Sequence, residues 1–276
     1  MNIMNDQIKI AWFGKHFGEE PPLIGDFNQG AGGIFFSGCN LRCCFCQNYQ
    51  ISQENIGGKF YNIEELANIM IDLQFSNCAC IDLVTPTIWY KQIKESILIA
   101  KDKGLIIPVV WNSNGYEDIK IIKEMEGLID IYLPDFKYYY NDLALKYSGI
   151  ENYKETAILA IKEMYNQVGI FKDEKLKTKN RGLIIRHLIL PNNVDNSFGV
   201  LNEISNIDKN IHISLMSQYN PIYNAKNFDE LNRKITTDEF DLVYNYQLLL
   251  GMENGWYQEI NSSDCFVPDF KKDNPF

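Results

Sequence analysis

Six times along this chain a short apolar run is followed by a stretch with helical spacing, and that alternation limits the fold more than any other feature. The apolar runs lie at residues 34–36, 80–84, 105–111, 128–133, 182–190 and 211–216. The helical stretches lie at 63–73, 89–103, 118–126, 153–167, 201–207 and 236–250. In the first of these, Ile63, Leu66, Ile69, Met70 and Leu73 recur at intervals of three and four, the period of a helix with one buried face. Asn62 with Glu65, and Thr236 with Glu239, have the spacing of reciprocal N-terminal caps. Pro108 suits a strand start or a bulge. Strand–helix–strand repeats imply parallel strands joined by right-handed crossovers. Six units fall short of the eight that close a familiar barrel. The expected fold is a single α/β domain, an open partial (β/α)6 TIM-like barrel with a gap that admits a large substrate.

The stretch after the first strand carries the reactive side chains. Cys39, Cys43 and Cys46 fall as C-x3-C-x2-C directly beyond Phe36. That places them on a loop at the carboxyl end of a strand, where α/β folds keep their active sites. Four-iron clusters normally take four protein thiolates, so three leave one iron open to a ligand. The alternative is zinc held by the same thiolates, which would want a fourth Cys or His. Seven cysteines are present in all. Cys44, Cys78, Cys80 and Cys265 read as small buried hydrophobes, and a disulfide framework is not expected.

Residues 1–32 precede the first expected strand and form an N-terminal extension packed on the barrel, with residues 33–276 as the core domain. The ordinary reading of His16, Glu19 and Glu20 is a solvated loop; the functional alternative is a segment covering the barrel mouth. Pro21-Pro22 suggests extended chain, and Gly30, Gly32 and Gly33 let backbone approach a ligand closely. The charged run 171–181 reads as a solvated loop. A formal net charge of −10 argues against a nucleic-acid-coating surface. The apolar runs are too short to cross a bilayer, and the first residues lack a secretory pattern. The cytoplasm is the expected location, with no membrane partner.

The motif Cys39, Cys43, Phe45, Cys46 resembles the signature of the radical S-adenosylmethionine (SAM) superfamily. The wider phrases are similar to those of pyruvate formate-lyase activating enzymes: Gly38-Cys39-Asn40 to Cys46-Gln47-Asn48, Leu83 to Thr87, Tyr132 to Lys137, Arg186 to Pro191, and Met216 to Tyr219. The resemblance implies that Cys39, Cys43 and Cys46 bind a [4Fe–4S] cluster and that Phe45 lies near the adenine of SAM. It implies further cofactor contacts from Asn112 after the third strand, Asp135 and Lys137 after the fourth, and inward-facing Arg186 and Leu188 on the fifth. His187 then points outward as a structural histidine. Two positions depart from the family. Thr85 stands where relatives carry a Gly-Gly-Glu-Pro phrase that binds the methionine amino group, and Gln218 or Tyr219 stands near a missing histidine. Tyr138 to Tyr140 would line a channel or pack the next helix.

The function implied is cleavage of SAM to a 5′-deoxyadenosyl radical that installs a glycyl radical on a partner enzyme. Rival readings are radical modification of another peptide, an RNA or a small molecule, and a non-catalytic iron–sulfur electron carrier. With no second cysteine cluster in the sequence, electrons are expected from an external donor such as flavodoxin or ferredoxin.

Overall fold

A computed structural model of the chain describes residues 6–26, 28–172, 180–258 and 267–276. Six parallel strands carry the architecture: β2 (Ala31–Phe36), β4 (Ile81–Val84), β5 (Val109–Ser113), β6 (Ile131–Pro134), β7 (Gly182–Leu188) and β8 (His212–Met216). Helices α3 (Ile63–Phe75), α4 (Tyr90–Asp102), α5 (Ile119–Glu124), α7 (Tyr153–Val168) and α8 (Val194–Asp208) connect them, and α9 (Thr237–Leu249) follows β8. Both expected capping boxes are present, Asn62 with Glu65 on α3 and Thr236 with Glu239 on α9. With β1 (Gln7–His16), β3 (Lys59–Asn62) and β9 (Gly255–Tyr257), the sheet has nine strands among the described residues, running β3-β1-β2-β4-β5-β6-β7-β8-β9, and does not close on itself. The expected open barrel is therefore the observed one, with three strands added at its edges.

Those additions correct the sequence reading. β1 (Gln7–His16) pairs antiparallel with β2 and with β3 (Lys59–Asn62), so the region before residue 33 begins as a strand of the sheet. β9 (Gly255–Tyr257) pairs parallel with β8. Pro21-Pro22 opens a single helical turn, α1 (Pro21–Ile24), rather than extended chain; a proline's fixed φ and missing N–H suit the first helical position. The third parallel strand starts after Pro108 and reaches Ser113 instead of spanning 105–111. α2 (Tyr49–Ser52) and α6 (Asn141–Ser148) had no counterpart in the sequence reading. Tyr138 is fully buried, with its hydroxyl 2.7 Å from Ser148 Oγ, and the Tyr139 ring packs against Gly199 of α8. Tyr138 and Tyr139 thus pack against helices, while Tyr140 is exposed at the start of α6.

The barrel interior follows from the two-residue period of strands. At its foot Ala31, Cys80, Val110, Ile131 and Ile184 form an apolar cluster with Leu23 of α1 and Phe171. Leu23 buries a whole side chain there, worth about 1.5–3 kcal/mol. Two residues further along three of these strands stand Asp82, Asn112 and Arg186. An apolar foot therefore gives way to a polar middle just below the cysteine loop. Cys44, Cys78 and Cys80 are buried, as expected of small hydrophobes; Cys265 lies outside the described residues. No described helix is long and apolar enough to cross a membrane.

Candidate active site

The cysteine loop leaves β2 through Gly38, whose φ of +88° favours glycine. Backbone bonds fix it from two sides. The Gly38 N–H donates to Ile51 O in α2, while the Arg42 and Cys44 N–H groups donate to Ser148 O and Tyr147 O in α6. Each of the three motif sulfurs has a hydrogen-bonding neighbour. Cys39 Sγ accepts from the Leu41 N–H at 3.4 Å and from Asn114 Nδ2 at 3.3 Å. Ser148 Oγ donates to Cys43 Sγ at 3.0 Å, and Ser52 Oγ lies 3.3 Å from Cys46 Sγ. Donors aimed at sulfur are what thiolate ligands need, since they tune the bound metal and fix the ligand. Cys44 lies outside the cavity lining; burial pushes the thiols of both Cys44 and Cys46 up to about 12.

The donor set can be tested against two metals. A single zinc needs all its thiolates within about 2.3 Å of one point. Among the described residues no group of three or more His, Cys, Asp or Glu side chains is arranged to hold a single metal ion. In a four-iron cluster each thiolate holds a different iron, so the sulfurs stand further apart. Three thiols on one loop, each beside a hydrogen-bonding neighbour, fit three ligands of that group.

The residues that the resemblance points to as cofactor contacts line one cavity at the carboxyl ends of the strands: Phe45, Thr85, Asn112, Asp135, Lys137, Arg186, Leu188 and Gln218, together with the three cysteines. Phe45 is buried and packs edge-on against Tyr219 at 5.9 Å. Thr85 adopts φ +60°, a left-handed backbone that a β-branched residue rarely takes. Asp135 and Lys137 do face the same way, with Nζ 2.6 Å from Oδ2. Both side chains are only 14% exposed, so this is not a surface ion pair. Arg186 Nε donates to Asp135 Oδ1 at 2.8 Å and Nη2 to Asn112 Oδ1 at 2.6 Å. Burial pushes the Asp135 carboxyl up, but the Arg186 and Lys137 cations outweigh this and hold it below the usual range. His187 is buried on the other face, its ring nitrogens 2.7 Å from Phe136 O and 2.8 Å from Ser197 Oγ, and burial lowers its pKa to about 4. It is a structural side chain.

Several residues enter the cavity that the sequence did not assign to it. His16, Glu19 and Glu20 line its wall, so the solvated-loop reading of that segment does not hold. Glu20 Oε2 accepts from Ser214 Oγ of β8 at 2.9 Å and from Trp256 Nε1 of β9 at 2.5 Å. The segment between β1 and α1 thus crosses to the far strands of the sheet. Pro268 and Phe276 also line the cavity, and the Phe276 ring lies 4.0 Å from that of His16. Asn114 joins the cysteine loop through Asn40, whose Oδ1 it reaches at 2.6 Å. The one available signal was Asp82, a charge in the middle of an otherwise apolar strand.

This geometry agrees with comparisons to known proteins. The profile of the radical SAM superfamily matches residues 34–193, more than half of the chain, and the chain belongs to that superfamily. The cofactors of that superfamily are a [4Fe–4S] cluster and SAM. An uncharacterised protein of Methanocaldococcus jannaschii is 32% identical over 234 residues, which cover 82% of this chain and 63% of the relative. A second protein of that organism, provisionally named a glycyl-radical enzyme activating enzyme, is 33% identical over 106 residues, 38% of this chain and 42% of the relative. This chain thus spans less than two thirds of either relative. Among solved structures, Streptococcus suis SuiB bound to its precursor peptide SuiA superposes with a TM-score of 0.56 at 11% identity, covering 84% of this chain and 49% of SuiB. SuiB bound to SAM gives 0.54 at 11% identity, covering 82% and 47%. At that identity the likeness is one of fold.

Proposed function

We propose that this radical SAM enzyme takes a hydrogen atom from a glycine in a loop of a partner protein, as a glycyl-radical-enzyme activase. The observation that carries the reading is a sheet that stays open from β3 to β9 around a cavity lined by the three thiols, which suits a substrate presented on a loop. The partial likeness to a protein named as an activating enzyme supports it. On this reading Cys39, Cys43 and Cys46 hold the cluster and leave one iron for SAM. When bound and reduced, the cluster would supply the electron for reductive cleavage of SAM, the source of the radical that takes the substrate hydrogen.

The chain's own residues bind, orient and exclude water. Leu41, Asn114, Ser148 and Ser52 supply hydrogen bonds to the sulfurs. Lys137 and Asp135 offer a fixed cation and a fixed anion for the carboxylate and hydroxyl groups of SAM. Arg186 and Asn112 lock Asp135 in place. Phe45 and Leu188 give apolar surface for adenine, while Thr85 and Gln218 offer uncharged polar contacts. On the same reading residues 1–32 are an extension packed on a core of residues 33–276. The enzyme works in the cytoplasm, with electrons from an external flavodoxin or ferredoxin.

The test uses a glycyl-radical enzyme of the same cell, deuterated at the α-carbon of its glycine. Deuterium is expected in 5′-deoxyadenosine, with a glycyl radical in the electron paramagnetic resonance spectrum, only when the partner is present. Transfer from a peptide or small molecule, with none from any such partner, would replace this reading with the second one. That second reading, modification of another peptide, is favoured by the fold likeness to SuiB, which binds a precursor peptide.

A further inference from the structure

Asn114 and the turn from Asp135 to Lys137 follow neighbouring strands, β5 and β6, and one side chain from outside joins them. Tyr153 opens α7, is 0% exposed and does not itself line the cavity. Its hydroxyl lies 2.8 Å from Asn114 O and 2.9 Å from Asp135 O, and it accepts the Lys137 N–H at 3.0 Å. A phenol has one proton to give, so the two carbonyls share it, while an oxygen lone pair takes the amide. Burial pushes the phenol well above its ordinary range, so that proton stays. Neighbouring rings fix the phenol in place. It stacks on Tyr116 at 6.2 Å and meets Tyr138 edge-on at 5.2 Å. The two turns themselves nearly touch: a Cβ on Gly115 would lie 2.0 Å from Asp135 O.

Asn114 carries the connection on to the cysteine loop. Its Nδ2 faces Cys39 Sγ at 3.3 Å and Asn40 Oδ1 at 2.6 Å. The amide cannot be turned over, because its Oδ1 accepts the Tyr116 N–H at 2.9 Å. Asn40 is fixed likewise, with Nδ2 donating to Tyr116 O at 2.7 Å. Asn114 therefore meets a motif sulfur with its side chain and Tyr153 with its carbonyl. The path from Cys39 through Asn114 and Tyr153 to Lys137 is made of hydrogen bonds of 3.3 Å or less.

We propose that Tyr153 is a positioning residue. Its hydroxyl holds Asn114, and through it the cysteine loop, in register with the Asp135–Lys137 turn that contacts SAM. The inference rests on the cavity being the radical SAM active site. Groups that must react at contact distance lose rate steeply when misplaced, by about a hundredfold for an ångström. The ion pair of Lys137 with Asp135 cannot supply this register, because both partners sit on the same turn. Arg186 joins Asp135 to Asn112 from within the cavity. Tyr153 is the tie on the opposite side, and it reaches the Lys137 amide.

SAM binding to the anaerobic, cluster-loaded protein is measured by calorimetry. Tyr153→Phe keeps the ring and removes the hydroxyl. It is expected to weaken SAM binding about fivefold with iron content unchanged. In a Lys137→Ala background the same change is expected to cost about twofold or less, because its effect runs through Lys137. Tyr132→Phe removes a buried phenol hydroxyl bonded to Gln167 of α7 and is expected to leave SAM affinity unchanged. Full additivity with Lys137→Ala would overturn the proposal. So would an equal loss in Tyr132→Phe, by making the effect structural. Hydrogen exchange in the wild type tests the link without a substitution. SAM is expected to slow exchange at 114–116 and 135–138 together, and slowing at one stretch alone would overturn it. If the wild type binds no SAM, the active-site reading itself fails. If it binds SAM and Tyr153→Phe binds it equally well, only the role of Tyr153 fails.

Discussion

Glu117 offers a quantitative test of how this interior handles charge. It is 0% exposed. Its Oε1 accepts from Thr87 Oγ1 at 2.8 Å and Trp111 Nε1 at 3.0 Å, while Oε2 has no partner among the described residues. Burial wins over these donors and raises the carboxyl from 4.5 to about 7. Between those values the folded chain keeps a proton that the unfolded chain has released. The unfolded state then binds fewer protons, so stability falls as pH rises from about 4.5 to just above 7. At ~1.4 kcal/mol per tenfold change in proton affinity, the loss is about 3 kcal/mol. Glu117→Gln keeps the Oε1 acceptor and removes the titration. Urea unfolding of both proteins between about pH 4.5 and pH 8 gives the comparison. The variant's stability relative to wild type is expected to rise by about 3 kcal/mol across that range and then level off. A flat difference, or one of opposite sign, would refute the assignment of a buried, uncharged Glu117.

Three further outcomes are expected. Lys137→Ala should weaken SAM binding by about 1.5–3 kcal/mol, the scale of a hydrogen bond to a charged group, without changing iron content; unchanged affinity by calorimetry would remove Lys137 from the SAM site. Thr85→Gly relieves a left-handed strain of ~1–2 kcal/mol against a glycine entropy cost of ~0.5–1 kcal/mol. It should therefore melt as high as wild type or slightly higher while binding SAM less well, and a clear fall in melting temperature would show that the strain reading is wrong. Arg186→Met leaves Asp135 and its neighbouring carboxyls under-compensated and should cost ~3–5 kcal/mol in chemical unfolding, the usual penalty for breaking a buried pair; a loss below about 1 kcal/mol would show that the network is solvated.

The parallel core was legible because each inner strand is buried on both faces and so reads as an apolar run. Asn62 and Thr236 marked helix starts through cap chemistry that is local to four residues. What escaped was non-local. Gln7–His16 pairs antiparallel with β2 and β3, outside the strand–helix repeat that organised the reading. Asn141–Ser148 is short and buries chiefly Ala144 and Tyr147, too little for a periodic signal. Glu19 and Glu20 looked solvated because charged residues usually are. Their burial depends on Ser214 and Trp256, roughly two hundred residues away in the chain. The cysteine motif and the residues beyond each strand converge on one cavity. The residues that distinguish this cavity, His16, Glu19 and Glu20, come from the N-terminal segment, where no motif pointed.

The central claim is that three thiols on one loop hold a cluster with an iron open to SAM. Iron and sulfide analysis of anaerobically reconstituted protein, with electron paramagnetic resonance of the reduced state before and after SAM, tests it most directly. The account predicts about four irons per chain and a spectrum that SAM alters. Both should be lost on replacing Cys39, Cys43 or Cys46 with Ala and retained in Cys44→Ala. Tightly held zinc with no iron, or a cluster spectrum indifferent to SAM, would contradict it.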